Sequence, residues 1–114
     1  MLNKMNKFQI KTAIILLSLT PAIAFSAGNA AAGKTKSVVC HACHGPTGQA
    51  VQPIYPNLGG QHQDYLIKTL QEFRDGSRQN AIMSGFAANL SDTDIEDITA
   101  WYSSQDGLTE IKDK

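Results

Sequence analysis

The sequence predicts an all-α fold of three main helices joined by two long loops, and three observations carry that prediction. Apolar residues recur at helical spacing over 64–74 and again over 95–102. The intervening stretches, 45–60 and 77–90, lack that spacing. The first of them holds three of the chain's four prolines, which marks it as loop. No segment shows the strict alternation of a half-buried strand.

The first element is a targeting segment. Lys4, Lys7 and Lys11 precede an apolar run over 12–19, then Pro21 and the small-residue site Ala22-Ile23-Ala24. This is the layout of an export signal, expected over residues 1–24 and cleaved to leave one domain over 25–114. Cleavage after Ser26 or Ala27 also fits the small residues there. The apolar run is shorter than the roughly 20 residues of a spanning helix, so no membrane span is expected after cleavage. An uncleaved N-terminal anchor is the alternative. Three of the ten basic residues and none of the ten acidic ones lie in the leader, so from residue 25 the balance is 7 − 10 = −3. No basic patch is left for nucleic acid.

A first helix is expected over about 31–43, turning Val38 and Val39 toward the core. Gly33 inside it costs about 1 kcal/mol relative to alanine, which points to a close backbone approach; a harmless N-terminal glycine is the alternative. The helix runs into Cys40-His41-Ala42-Cys43-His44, with the only two cysteines of the chain. C-x-x-C-H is the attachment pattern of c-type haem. One helical turn separates the two thiols by the span of two vinyl groups on one ring edge, so each forms a thioether. His44 then lies under the iron as the proximal ligand. His41 is expected to face solvent. Bacterial c-type haem attachment takes place outside the cytoplasm, in agreement with the leader. A zinc site would want four N or S ligands, usually as two pairs, and no second pair is present. A thioredoxin-like pair would want a βαβ context. A disulfide across two residues is strained and leaves His44 without a role. There is one C-x-x-C-H run and no internal repeat, so one haem per chain is expected.

The loop over 45–60 follows. A second helix is expected over about 64–74, with Tyr65, Leu66, Thr69, Leu70 and Phe73 on one face, ended by Gly76. Residues 77–90 read as a second irregular stretch. Ser91 and Asp94 form a capping-box variant at the start of a last helix, with Ile95, Ile98, Trp101 and Tyr102 as its apolar stripe. Asp92, Asp94, Glu96 and Asp97 crowd its first turns, where carboxylates stabilise the positive end of the helix dipole; cation docking is the alternative.

Once the leader is removed, Met83 is the sole methionine. It falls in the second irregular stretch, 39 residues after His44 and beside the small residues Ser84 and Gly85. A thioether turned inward there could reach the haem face opposite His44. His62 competes for that role, and an open distal site is a third possibility.

On these residues the chain resembles the class I c-type cytochromes, in particular the small soluble monohaem cytochrome c553 type, and is similar to one half of dihaem cytochrome c4. The resemblance rests on residues 40–45, Pro56-Asn57-Leu58-Gly59-Gly60-Gln61-His62, Tyr65-Leu66, residues 73–78, Ile82-Met83, residues 87–92 and Asp97-Ile98. It implies the cytochrome c fold wrapped around one covalent haem c. Cys40 and Cys43 would carry the thioethers, and His44 and Met83 would be the axial ligands. Pro56 would accept a hydrogen bond from His44 Nδ1. The first and last helices would cross near Gly33, Ile98 and Trp101. The implied function is periplasmic electron transfer by cycling Fe(II)/Fe(III), not enzymatic catalysis. Partners would be redox proteins met through small transient interfaces, with the carrier a monomer or weak dimer. The alternative is a haem c subunit of a larger redox complex, such as a flavoprotein dehydrogenase, a sulfur-oxidising complex or a terminal oxidase. A peroxidase or gas-binding protein would need an open distal site, which Met83 argues against. The haem edge is expected near Ala42, residues 49–54 and residues 83–86.

Overall fold

The structure is a computed structural model that describes residues 27–107; the leader expected over 1–24 lies outside the described residues. The chain runs through α1 (Ala30–Lys36), a 3-10 turn (Ser37–Cys40), α2 (His41–His44), α3 (Gln63–Asp75), α4 (Ala81–Ala87) and α5 (Asp92–Ser103), with no strand among the described residues. None of these helices is long and apolar enough to cross a membrane.

Asn29 starts α1 by accepting the Ala32 amide on its side chain at 3.0 Å. α1 packs against α5, and Gly33 is the reason it can. A Cβ there would overlap the Asp97 carbonyl and lie 3.0 Å from Trp101 Cβ. Gly33→Ala is therefore expected to force the two helices apart and cost about 3 kcal/mol. Chemical denaturation of the two proteins measures it; an unchanged midpoint would contradict the crossing.

The expected first helix is not continuous. It tightens into the 3-10 turn after Lys36, and that turn shifts the buried face. Gly33, Ser37 and His44 are buried, whereas Val38 and Val39 are 60% and 61% exposed, against the expectation that both valines enter the core. His41 also departs from its solvent-facing expectation. It is half-buried, with Nε2 3.2 Å from Ser37 Oγ.

The acidic start of α5 does more than face a helix dipole. Lys36 Nζ reaches Asp94 Oδ1 at 2.8 Å and Asp97 Oδ2 at 2.7 Å. Asp97 also accepts the Asn29 amide at 2.7 Å, so the carboxylates tie both ends of α1 to α5. Lys36 is the first cause of their depressed pKa values, seconded by Ser91 for Asp94 and by the Asn29 amide for Asp97; Asp94 is held at about 2. A depressed carboxyl adds stability above its unfolded value, near pH 4, and loses it as pH falls through the folded value. Stability is thus expected to fall from about pH 4 to about pH 2, and less steeply in Lys36→Met. Thermal melts across that range check this; equal slopes in both proteins would contradict it.

α3 extends the expected helix by one residue at each end and stops at Gly76, whose φ of 85° suits glycine. It buries Leu66 and Phe73. Leu66, Ile98 and Tyr102 form the core, with Cys40, Leu58, Leu90 and Trp101 packed on it. The capping box at Ser91 and Asp94 is present, and α5 buries Ile95, Ile98 and Tyr102, with Trp101 half-buried. Trp101 Nε1 donates to Pro46 O at 2.9 Å and the Tyr102 hydroxyl to Gly45 O at 3.2 Å. α5 thereby holds the start of the first loop in place.

The stretch expected to be irregular over 77–90 contains α4. Asn80 caps it, accepting the Ile82 and Met83 amides at 3.1 and 3.0 Å. Met83 consequently stands on a helix and not in a loop.

Candidate functional site

Cys40 closes the 3-10 turn, and Cys43 and His44 follow on α2, so local backbone geometry alone sets these three side chains side by side. Gly45 then reverses the chain at φ 75°, a conformation that suits glycine. Both cysteines are free and half-buried. Burial, and then the neighbouring Cys43, pushes the Cys40 thiol above its usual pKa. A thiol desolvated in this way is a poor candidate for a standing thiolate.

His44 is 6% exposed. Its Nδ1 lies 2.9 Å from the Pro56 carbonyl oxygen. A carbonyl has only lone pairs to offer, so the proton of the neutral ring sits on Nδ1. Nε2 is left with a free lone pair and makes no hydrogen bond among the described residues. Tyr55 meets the ring edge-on at 6.5 Å between centroids. The first loop thus supplies both the acceptor and the aromatic neighbour that set the ring's orientation, which stiffens a prospective metal ligand.

These groups open onto one cavity of about 660 Å³, within the roughly 300–1,000 Å³ span of small-molecule and cofactor sites. Cys40, Cys43, His44, Pro56 and Met83 all line it. α3 contributes Leu66, Leu70 and Phe73; α4 adds Ile82 and Phe86; α5 adds Ile98 and Tyr102. Burial drives the Tyr102 phenol far above its usual pKa, keeping it neutral. At the mouth, Ile54, Ile82 and Phe86 are 76%, 64% and 52% exposed. Apolar side chains open to water around a largely apolar cavity are what a bound apolar ring would cover.

Haem fits this site on three counts. Two thiols stand one helical turn apart at its wall. An imidazole lone pair is available beside them. The remaining lining is mostly apolar, with a half-buried thioether at Met83. His62 is exposed and lies outside the lining. A zinc site lacks ligands, because no group of three or more His, Cys, Asp or Glu among the described residues could hold a metal ion. Sequence reasoning passed over Tyr55, Thr69 and Arg78 as site residues. Thr69 was read only as part of a helix face, and the other two lie in stretches with no spacing signal.

Residues 30–106 match the family model described as cytochrome c. The chain is 44% identical over 101 residues to cytochrome c4 of Pseudomonas aeruginosa, an alignment covering 89% of this chain and 49% of that protein. It is 52% identical over 83 residues to cytochrome c-554(548) of Halomonas halodenitrificans, covering 70% of this chain and 100% of that protein. The crystal structure of reduced recombinant cytochrome c4 from Pseudomonas stutzeri superposes with a TM-score of 0.67 at 43% identity, over 71% of this chain and 47% of that one. The chain therefore spans about half the length of the cytochrome c4 relatives it matches.

Proposed function

This chain belongs to the cytochrome c family, and from that premise we propose that it is a periplasmic one-electron carrier holding a single covalent haem c. When bound, the haem supplies an Fe(II)/Fe(III) couple. Cys40 and Cys43 supply the two thioether sulfurs. His44 offers Nε2 as the proximal ligand, and Pro56 holds that ring by accepting its Nδ1 proton. Met83 offers its thioether sulfur as the distal ligand. With His44 and Met83 both engaged, a bound haem would keep no position free for oxygen or peroxide, and Met/His ligation would favour a raised potential. Leu66, Leu70, Phe73 and Ile98 keep water from the site, so little solvent has to reorganise when charge changes there.

The single observation that carries this reading is the convergence of both thiols, the His44 lone pair and Met83 on one cavity. The exposed Ile54, Ile82 and Phe86 at the mouth suit a small, transient contact with a redox partner. Residues 25–114 form the exported domain in this reading, behind a cleaved leader over 1–24. The test is production in cells competent for c-type maturation, followed by acid–acetone extraction and intact mass measurement. One haem retained per chain is the expected result. A mature chain without haem would overturn the reading.

A further inference from the structure

We propose that Asn80 positions the distal ligand: its side chain holds the helix turn that presents the Met83 thioether, a role that rests on the reading of Met83 above. A thioether is a soft, uncharged donor. Its hold on ferric iron therefore depends on how well the chain presents it, as with any intramolecular contact. Met83 stands on α4, and α4 is seven residues long. Isolated helices shorter than about 12–15 residues are marginal in water, so something besides its own backbone must keep α4 formed. Its two ends are kept in different ways. At the C-terminal end Ala87 is fully buried, and the Leu90 amide donates to Ala87 O at 3.1 Å. Arg74 secures the same end, donating to Leu90 O at 2.9 Å and to Asp92 Oδ1 at 2.6 Å. The N-terminal end has little such packing. Ala81 is exposed, and so is Ile82.

Asn80 supplies what that end lacks. Its backbone is extended, as a capping position requires. Its side-chain oxygen accepts the Ile82 amide at 3.1 Å and the Met83 amide at 3.0 Å. Its backbone carbonyl accepts the Ser84 amide at 2.8 Å. Among the described residues no other side chain bonds an amide of that first turn. The ligand residue is therefore itself held by the cap. A helical side chain leans back over the turn that precedes it, so the Met83 thioether belongs to the turn that Asn80 fixes. Asn80 and Met83 both line the cavity. Without the cap the orphan amides return to water and the first turn frays. Met83 then spends more of its time away from the position opposite His44. Asn80 is thus a positioning residue, acting through Met83.

The experiment titrates ferric holoprotein with imidazole, which competes with Met83 for the iron, and follows the loss of the far-red methionine–Fe(III) band. Asn80→Ala is expected to bind imidazole about tenfold more tightly than wild type, about 1.4 kcal/mol and within the usual cost of losing an N-cap. Asn80→Ser keeps a capping oxygen and stays near wild type. Ser91→Ala removes the cap of α5 and is the control for a merely structural loss: its denaturation midpoint falls while its imidazole affinity stays that of wild type. Wild-type affinity in Asn80→Ala would overturn the proposal, and so would an equal gain in Ser91→Ala or Asn80→Ser. If Asn80→Ala does not mature, hydrogen exchange in reduced wild-type holoprotein decides. Ile82 and Met83 amides that exchange more slowly than the Ala81 amide support the cap, and equal rates overturn it. A wild-type mass without haem sinks the haem reading instead, and a far-red band that survives Met83→Ala sinks Met83 as ligand, so those failures are distinguishable from this one.

Discussion

The Cys40→Ala/Cys43→Ala double variant is expected to lose its cooperative fold and persist as a molten chain. Few hydrophobic side chains of the described residues are buried: Leu66, Phe73, Ala87, Ile95, Ile98 and Tyr102. Beside them lies a cavity of about 660 Å³. At about 24 cal/mol per Å³ of unfilled volume, that cavity is worth about 16 kcal/mol as an upper bound, since it opens to solvent. A domain of this size is stable by about 5–15 kcal/mol in all. Without the thioethers nothing keeps the cavity filled, and α3 and α4 lose the surface they pack on. The crossing of α1 and α5 should survive as residual helix, because Gly33, Lys36 and Asp97 make it without the cavity. Far-ultraviolet circular dichroism should therefore keep part of its helical signal while NMR dispersion collapses. Sharp, dispersed signals from the haem-free variant would contradict the account.

Met83→Ala is expected to change the site more than any other single substitution that leaves the thioethers intact. Removing the thioether opens the distal position. The potential should fall by on the order of 0.1 V, a fraction of the ≈ 0.8 V range that axial ligands command. Carbon monoxide should bind the reduced variant and not the wild type. The weak far-red band of a methionine–Fe(III) charge transfer should disappear. The fold should hold, because Asn80 caps α4 through the backbone amides of Ile82 and Met83 and not through the Met83 side chain. Persistence of the far-red band in the variant would refute Met83 as ligand. His62→Ala is the companion control: that residue is exposed and outside the cavity lining, so band and potential should be unchanged.

Much of this was legible from residue types and spacing. The helical repeat over 64–74, the capping box at Ser91 and the glycine stop at Gly76 are local signals, and local signals survive folding. Gly33 could be read as a close approach because a mid-helix glycine has a cost that something must offset. What spacing could not reveal was set by contacts distant in sequence. The 3-10 turn after Lys36 moves Val38 and Val39 outward and Ser37 inward, and a helical repeat carries no trace of such a shift. α4 escaped because it is seven residues long, contains Ser84 and Gly85, and lacks a regular apolar stripe. Its one signal was Asn80 as a capping residue. The acidic run at 92–97 looked like dipole compensation because Lys36, its partner, lies 61 residues away from Asp97. Arg78 belongs to the 73–78 run that carries the resemblance, but nothing in its spacing marks it as a lining residue of the cavity.

The central claim is that this chain carries single electrons on a site closed to small ligands. Voltammetry of the purified holoprotein, run with and without carbon monoxide and with and without peroxide, tests it most directly. The account predicts one reversible one-electron wave whose position carbon monoxide leaves unmoved, and no added current with peroxide. A wave displaced by carbon monoxide, or a catalytic current with peroxide far above that of free haem, would contradict it.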